Sequence, residues 1–527
     1  MNPTVGIDSG RDTNATVLLS FLAVMAALMT YLALLDASYI AAGAVFEYPL
    51  DDPYIHMAMA EQMRAGGYGV NPGEYAAASS SPLYSVLLLP FAGDPMQRYM
   101  PLFWNCFGLI VAAFLWGRIL VQAGFGASVF GAALALIGPV ALNMMGLAFT
   151  GMEHILHVAA SLAIVSGLLT FLDAGPDAGR IGKLLILGIL LAPLLRLEGL
   201  ALAILAALVV LFRGRVLGGA LLLVLAVAPV AGFCYFLTTL GLDPLPSSVT
   251  AKLTNPEADG SLTGMIGARM QIILETRAQQ VLAAFIAVGA VLLFVKPVWT
   301  STRWPLLFAV GGAGVAHFLF GRFDWMDRYE NYILVTMAAG LLAVAAGTKL
   351  RGLPLLVLAP ILFAGYSYVP GVMEQYPPAG RAVRLQQAQM ARLVQEHLKE
   401  PVAVNDLGWV AWRNPNYVLD LWGLANHEAR ALRLTDPHPG WADELVKAQG
   451  VNFAMLYGFW FDDAIGDEWV LLGQLKTTGP VDYLGSNFVD VYLTGPVDPA
   501  PYLTALADWK AGLPKGALFD FAEGFAQ

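Results

Sequence analysis

Long apolar runs dominate the first two thirds of the chain. They begin with Val17–Asp36 and recur at about 98–121, 124–147, 152–172, 181–195, 199–212, 216–240, 279–295, 304–321, 331–348 and 352–369. A bilayer crossing needs roughly 17–25 apolar residues. The pattern therefore predicts eleven transmembrane helices, the pair around 181–212 being short. The run Pro82–Phe91 has too few residues to cross and predicts a re-entrant or interfacial helix. After Pro370 the pattern changes. Residues 379–399 show a partly helical period, through Val383, Met390, Leu393 and Leu398. Val402–Val404 and Tyr417–Leu421 read as short strands separated by the turn Asn414-Pro415-Asn416. The expected fold is a polytopic α-helical membrane protein with a C-terminal α/β extracytoplasmic domain. Its parts are 1–369, with a first external loop at 45–97, and 370–527.

Composition agrees. Of 527 residues, 57% are hydrophobic and 13% charged, and the mean hydropathy is +0.63. A typical soluble chain carries about 25% charged residues. Charge is uneven: residues 370–527 hold 19 acidic and 11 basic side chains, so the tail carries most of the net −10. No basic patch points to a nucleic acid. Cys106 and Cys234 both lie in apolar runs, which argues against a disulfide framework or a Cys-ligated metal.

Orientation follows from the basic turns. With Arg11 in the cytoplasm, Arg118, Arg180 with Lys183, Arg213 with Arg215, Lys296 with Arg303, and Lys349 with Arg351 all fall on that side, as the positive-inside rule requires. Segment 45–97, the turn 149–153, the break Arg196–Glu198, loops 242–278 and 321–330 and the acidic tail then share the far side. Val17–Asp36 reads as a retained first helix, with Ala42-Gly43-Ala44 as a cleavage alternative.

The chemistry collects on that far side. Asp51 and Asp52 precede Pro53, which suits a helix start with Asp52 as N-cap. Ile55, Met59 and Met63 give one apolar stripe, predicting an amphipathic helix at the membrane surface that ends at Gly66-Gly67. Adjacent carboxylates repel and raise one pKa, so the pair can serve as a base; plain capping by Asp52 competes, and Asp51, not needed for a cap, is the better candidate. Glu153, His154, His157, Arg196 and Glu198 are polar where lipid makes polarity expensive, so they face a cavity or one another. Arg196 with Glu198 also reads as a structural ion pair. His154 and His157 lack a third metal ligand nearby. Lys252 and Arg328, with Tyr329, sit at the bilayer edge, where cations suit a lipid-linked phosphate or anchor to headgroups. Trp409, Trp412, Trp422, Trp441, Trp460 and Trp469 read as core more readily than as sugar platforms.

The order of these residues resembles a family. Leu50-Asp51-Asp52-Pro53-Tyr54-Ile55, then Asn71-Pro72-Gly73-Glu74, then Ser80-Ser81-Pro82-Leu83-Tyr84 is similar to bacterial GT-C glycosyltransferases. The nearest group includes the terminal arabinofuranosyltransferases of mycobacterial cell walls. Thr150-Gly151-Met152-Glu153, Arg196-Leu197-Glu198-Gly199-Leu200, Ser248-Val249-Thr250-Ala251-Lys252 and Arg328-Tyr329 follow in the family's order. So do Val402–Gly408 and Val418–Leu424, and the likeness spans about 45–430. Ser79-Ser80, Leu197 and Asn405 depart from the family's Tyr-Thr, Pro and Gly.

The resemblance implies an inverting transfer of a hexose or pentose from a polyprenyl-phosphate donor. The acceptor is a cell-envelope glycan or glycolipid outside the bacterial cytoplasmic membrane. Asp51 is the implied general base, with Asp52 beside it. Lys252, Arg328 and Arg196 are implied at the donor phosphate, and His56, Ser80, Glu153, Glu198 and Tyr329 at the substrates. No metal or cofactor is expected, and the partners are donor, acceptor and bilayer. Two other classes compete: a flippase or transporter of lipid-linked sugars, and an O-antigen-type polymerase or ligase.

Overall fold

A computed structural model describes residues 9–175, 180–247, 267, 276–323, 325–348 and 350–525. Two compact units emerge. The first comprises Met1–Leu34, Phe103–Ala231 and Asn255–Met373; the second comprises Leu35–Leu102, Gly232–Thr254 and Glu374–Gln527. Segment 45–97 thus belongs to the same unit as the acidic tail.

Every apolar run carries helix. Among the described residues five helices are long and apolar enough to cross a membrane: Thr13–Ala41, Pro95–Ala123, His154–Asp173, Val216–Thr239 and Leu353–Leu398. Shorter apolar helices occupy Val129–Ala141, Lys183–Leu195, Gly199–Phe212, Arg277–Leu293, Trp304–Phe320 and Asn331–Gly347. The run 124–147 is broken at Asn143, which takes the left-handed conformation (φ 51°) between the helices Val129–Ala141 and Met144–Phe149. The composition change at Pro370 falls inside the helix Leu353–Leu385, which continues past Pro377-Pro378. The break comes only at Gln386, before Gln387–Arg392 and a π-helical turn at Leu393–Leu398.

In the second unit, six strands form one sheet in the order β2-β1-β3-β5-β4-β6. They are β1 (Val402–Val404), β2 (Val418–Asp420), β3 (Phe453–Leu456), β4 (Val470–Thr477), β5 (Phe488–Leu493) and β6 (Ala517–Phe521). The first three are parallel and the rest antiparallel. β1 to β3 are buried along their whole length, as in a covered parallel sheet, and are apolar except for Asp420 at the end of β2. Their core includes Leu419, Leu421, Ala454, Leu456 and Phe461. From β1 the chain steps to β2 on one side and then crosses to β3 on the other. Such a reversal opens a crevice at the carboxyl ends of the strands, where open α/β sheets bind ligands.

The helix after the paired aspartates spans Asp52–Arg64, one residue earlier than capping by Asp52 would give, so Asp51 holds the cap position. It is not a surface helix with one apolar stripe. Pro53 through Ala60 are all buried, because it packs against Tyr84–Leu87, Pro95–Tyr99 and Gly408–Ala411 in its own unit. The run Pro82–Phe91 forms only the single turn Tyr84–Leu87.

Candidate functional site

The Asp51 carboxylate does not cap its own helix. It reaches the start of the short helix Gly408–Ala411, which follows β1, instead. Oδ2 accepts from the Gly408 N–H at 2.6 Å and Oδ1 from the Trp409 N–H at 2.8 Å. Gly408 has no side chain for a steric reason: a Cβ there would press on the Asp51 main-chain carbonyl and lie 2.7 Å from Oδ2. Both aspartates stay half-buried.

Asp406, also half-buried, lies two residues beyond β1. Its Oδ2 accepts from Gln387 Nε2 at 2.8 Å and from the Tyr457 hydroxyl at 2.8 Å. Tyr457 follows β3, so this residue pair stands at the crevice between the carboxyl ends of β1 and β3. The Tyr457 N–H is fixed by Asn405 Oδ1 at 2.9 Å, and its hydroxyl also lies 2.5 Å from Gln386 Oε1.

Electrostatics follow from this crowding. Burial, the charge of Asp406 and, more weakly, that of Asp52 hold the Asp51 carboxyl well above the usual carboxylate range, against the pull of its two N–H donors. Burial first, then the nearby Asp52, also raises Asp406, against the bonds from Gln387 and Tyr457. Burial and the Asp406 charge push the Tyr457 phenol far up, so it stays a donor. The result is a set of carboxylates with a strong affinity for a proton.

Behind them lies a buried floor. Glu47 pairs with Arg98 at 2.8 Å and accepts from Trp409 Nε1 at 3.2 Å and from the Tyr54 hydroxyl. Burial raises the Glu47 pKa despite these partners. Tyr54 stacks on Trp409 with ring centroids 4.5 Å apart, and Trp412 closes the group at 5.4 Å from Tyr54. Trp412 Nε1 donates to Gln97 Oε1 at 3.0 Å.

The other motif residues of this unit brace the scaffold. The Asn71 side chain acts like one more strand residue: it donates to the Val418 carbonyl and accepts from the Val418 N–H, both at 2.9 Å. Glu74 accepts from Asn71 Nδ2 at 2.7 Å and from the Tyr417 hydroxyl at 3.1 Å. Buried His56 contacts Ser79 Oγ at 3.0 Å and Ser85 Oγ at 3.2 Å, and Ser80 is buried beside them. Asp420 accepts the N–H groups of Trp422 and Ala425 at 2.9 and 2.7 Å; burial pushes its pKa up to about 6. Of the six tryptophans, Trp412, Trp441 and Trp469 are buried, Trp409 and Trp422 half-buried, and Trp460 is 40% exposed.

The first unit holds a second polar cluster. Arg196 forks onto Glu198, Nη2 to Oε1 at 2.7 Å and Nε to Oε2 at 3.2 Å, and reaches Glu153 Oε1 through Nη1 at 2.9 Å. Its guanidinium, expected at a phosphate, is thus committed to two carboxylates. The bidentate geometry makes the pair strong and directional. Tyr329 lies under three guanidinium groups, those of Arg328, Arg322 and Arg196, at 5.0, 5.2 and 5.5 Å from its ring centre. Arg328 Nη2 also donates to the Tyr329 hydroxyl at 3.0 Å. Trp325, Met326 and Asp327, all left-handed (φ 56°, 62° and 50°), deliver this pair. Such a conformation costs roughly 1–2 kcal/mol per L-residue. His157 stacks on Tyr332 at 4.2 Å, and His154 meets the edge of Tyr329. Among the described residues no group of three His, Cys, Asp or Glu side chains is placed to hold a metal ion.

The structure therefore brings together Glu153, Arg196, Glu198, Arg328 and Tyr329 in one unit, and Asp51, Asp52, His56 and Ser80 in the other. Lys252 lies outside the described residues. Asp406, Tyr457, Gln387 and Glu47 join the site without being expected there from the sequence. Asp406 carried a readable signal, an acid two residues after a predicted strand. The others become visible only once β1 and β3 are neighbours.

One comparison bears on this unit. Residues 379–492 match a family described as a domain of unknown function (DUF8728). That stretch contains Gln387, Asp406, Gly408 and Tyr457. No curated protein matches the chain.

Proposed function

We propose that the chain is an inverting membrane glycosyltransferase of the GT-C type, with Asp51 as general base. It takes a pentose or hexose from a polyprenyl-phosphate donor and passes it to a cell-envelope glycan or glycolipid at the outer face of the bacterial cytoplasmic membrane. The observation that carries this reading is the seat of Asp51. A half-buried carboxylate is held by two main-chain N–H groups at the start of the helix that follows β1, with its pKa raised by burial and by Asp406.

A sugar hydroxyl is a weak nucleophile, and an aligned carboxylate of raised pKa assists it as it attacks. The acceptor oxygen bonds to the anomeric carbon as the bond to the phosphate oxygen breaks. The hydroxyl proton passes to Asp51, and polyprenyl phosphate leaves with the electron pair. Tyr457 and Gln387 hold Asp406 in place, so the raised pKa is built into the fold. In this reading all eleven apolar runs cross the bilayer, with the 45–97 loop and the acidic tail outside.

The test is an assay of the purified chain in nanodiscs with defined polyprenyl-phosphate pentoses and hexoses, following polyprenyl phosphate release and acceptor glycosylation. Wild type should consume one donor class, and Asp51→Asn should not. Lys252→Ala and Arg328→Ala, read as donor affinity, test the phosphate-binding roles. Equal transfer by wild type, Asp51→Asn and Asp52→Asn would refute the mechanism. Movement of intact lipid-linked sugar between leaflets, without release, would favour a flippase.

A further inference from the structure

A groove of about 420 Å³ is cut into the helices of the first unit. Its walls are Arg277–Leu293 and Trp304–Phe320, with Met337 behind and Trp299 at one end. That volume falls within the range of small-molecule sites, about 300–1,000 Å³.

The space comes from missing side chains. Gly289 and Gly311 both line it. A Cβ on Gly311 would meet nothing closer than Leu307 Cδ1 of its own turn, at 4.0 Å; one on Gly289 would have Leu341 Cδ2 at 3.7 Å. Helix packing therefore does not require either glycine. Each costs its helix about 1 kcal/mol relative to alanine, and what it leaves is room along the groove.

The rim says what fills that room. Leu293, Trp299, Phe308 and Val315 are each 44–50% exposed, an apolar margin that suits hydrocarbon and not water. Two indoles, Trp299 and Trp304, sit together at the end of the groove with centroids 5.4 Å apart. Lys296 stands one helical turn before Trp299. Tryptophan settles at the level of lipid headgroups, and a lysine there attracts their phosphates.

We propose that this groove binds one acyl chain of an anionic bilayer phospholipid, its tail along Gly289 and Gly311 and its phosphate at Lys296. The inference needs these helices to be in the membrane and does not depend on glycosyl transfer. The experiment is photolabelling of the detergent-purified chain with phosphatidylglycerol carrying a diazirine on one acyl chain, with adducts mapped by mass spectrometry.

Adducts are expected within 286–315. Gly311→Leu, which fills the groove, should lower them about tenfold, the effect of displacing two buried methylenes. Gly232→Leu adds the same bulk at an exposed glycine with open space around it and should leave them unchanged. A thermal melt checks that each variant folds, and Gly289→Leu replaces Gly311→Leu if the latter does not. Labelling that ignores both groove variants, or that falls elsewhere, would overturn the proposal. Stronger labelling of the same residues by a diazirine polyprenyl phosphate would overturn the phospholipid assignment.

Discussion

Asp51 and Asp52 are neighbours in the chain, but only Asp51 is clamped by Gly408 and Trp409. Asp51→Asn keeps the shape and removes the proposed base, so transfer should fall by roughly 100- to 10,000-fold. Asp52→Asn should fall less in the same assay; the reverse order would move the base to Asp52. The pH dependence has a definite sign. The base must be ionised, so activity is lost as pH falls through the Asp51 pKa, which lies above the ordinary value of about 4. Asp406→Asn removes the repelling charge while an amide oxygen can still accept from Gln387 and Tyr457. The acid limb of the pH–rate profile should then move to lower pH. Stability follows the same groups. Asp51 and Asp406 bind protons more tightly when folded, so stability is fullest below the ordinary carboxylate pKa and declines as pH rises through their raised values. Asp406→Asn should flatten that decline in melts recorded across pH. An acid limb unmoved by this variant would separate Asp406 from the base.

At the scale of elements, the helices and the first two strands were legible because apolar period and turn residues are local signals. Val402–Val404 and Val418–Asp420 lie where the short-strand reading and the Asn-Pro-Asn turn put them. The docking of Asp51 on Gly408 was not legible, since 357 residues separate them and no local pattern encodes the contact. For the same reason the helix Asp52–Arg64 looked like a surface element: half of the structure that buries it lies in the tail. Gly408 reports on that docking. Gly408→Ala must push a methyl group into the Asp51 carbonyl and carboxylate, and overpacking of this kind costs about 1–3 kcal/mol. A lower melting temperature with a disproportionate loss of transfer is expected, and unchanged values of both would deny that the contact forms. The ion triad of the first unit was legible as an interruption of an apolar stretch. Arg196→Met leaves Glu153 and Glu198 without their cation and should cost about 3–5 kcal/mol, as loss of one partner of a buried pair does. Adding Glu153→Gln and Glu198→Gln should recover much of it in detergent melts. Failure to recover would mean that the arginine's packing on Tyr329 matters more than its charge.

For the whole molecule, charge and length argue in one direction. Among the described residues five helices are long enough to cross a bilayer, and the shorter apolar ones lie where the sequence predicts further spans. The acidic tail and the 45–97 loop fall in one structural unit. That grouping suits a common side of the membrane for both, the arrangement expected from sequence on independent grounds, because each short basic turn would then lie in the cytoplasm. Translocation of an acidic tail out of the cytoplasm meets no obstacle from this rule, since it counts lysine and arginine in short loops and gives acids little weight. The prediction is concrete. In a Cys106→Ala, Cys234→Ala background, a membrane-impermeant maleimide applied to intact spheroplasts should label Glu468→Cys, an exposed position of the tail. It should label Arg215→Cys, exposed in the turn after the helix Gly199–Phe212, only after the membrane is opened. Labelling of position 215 from outside with position 468 protected would invert the topology. The Asp51 site would then face the cytoplasm, where nucleotide sugars rather than polyprenyl-phosphate sugars are the ordinary donors, and the proposed reaction would fall with it.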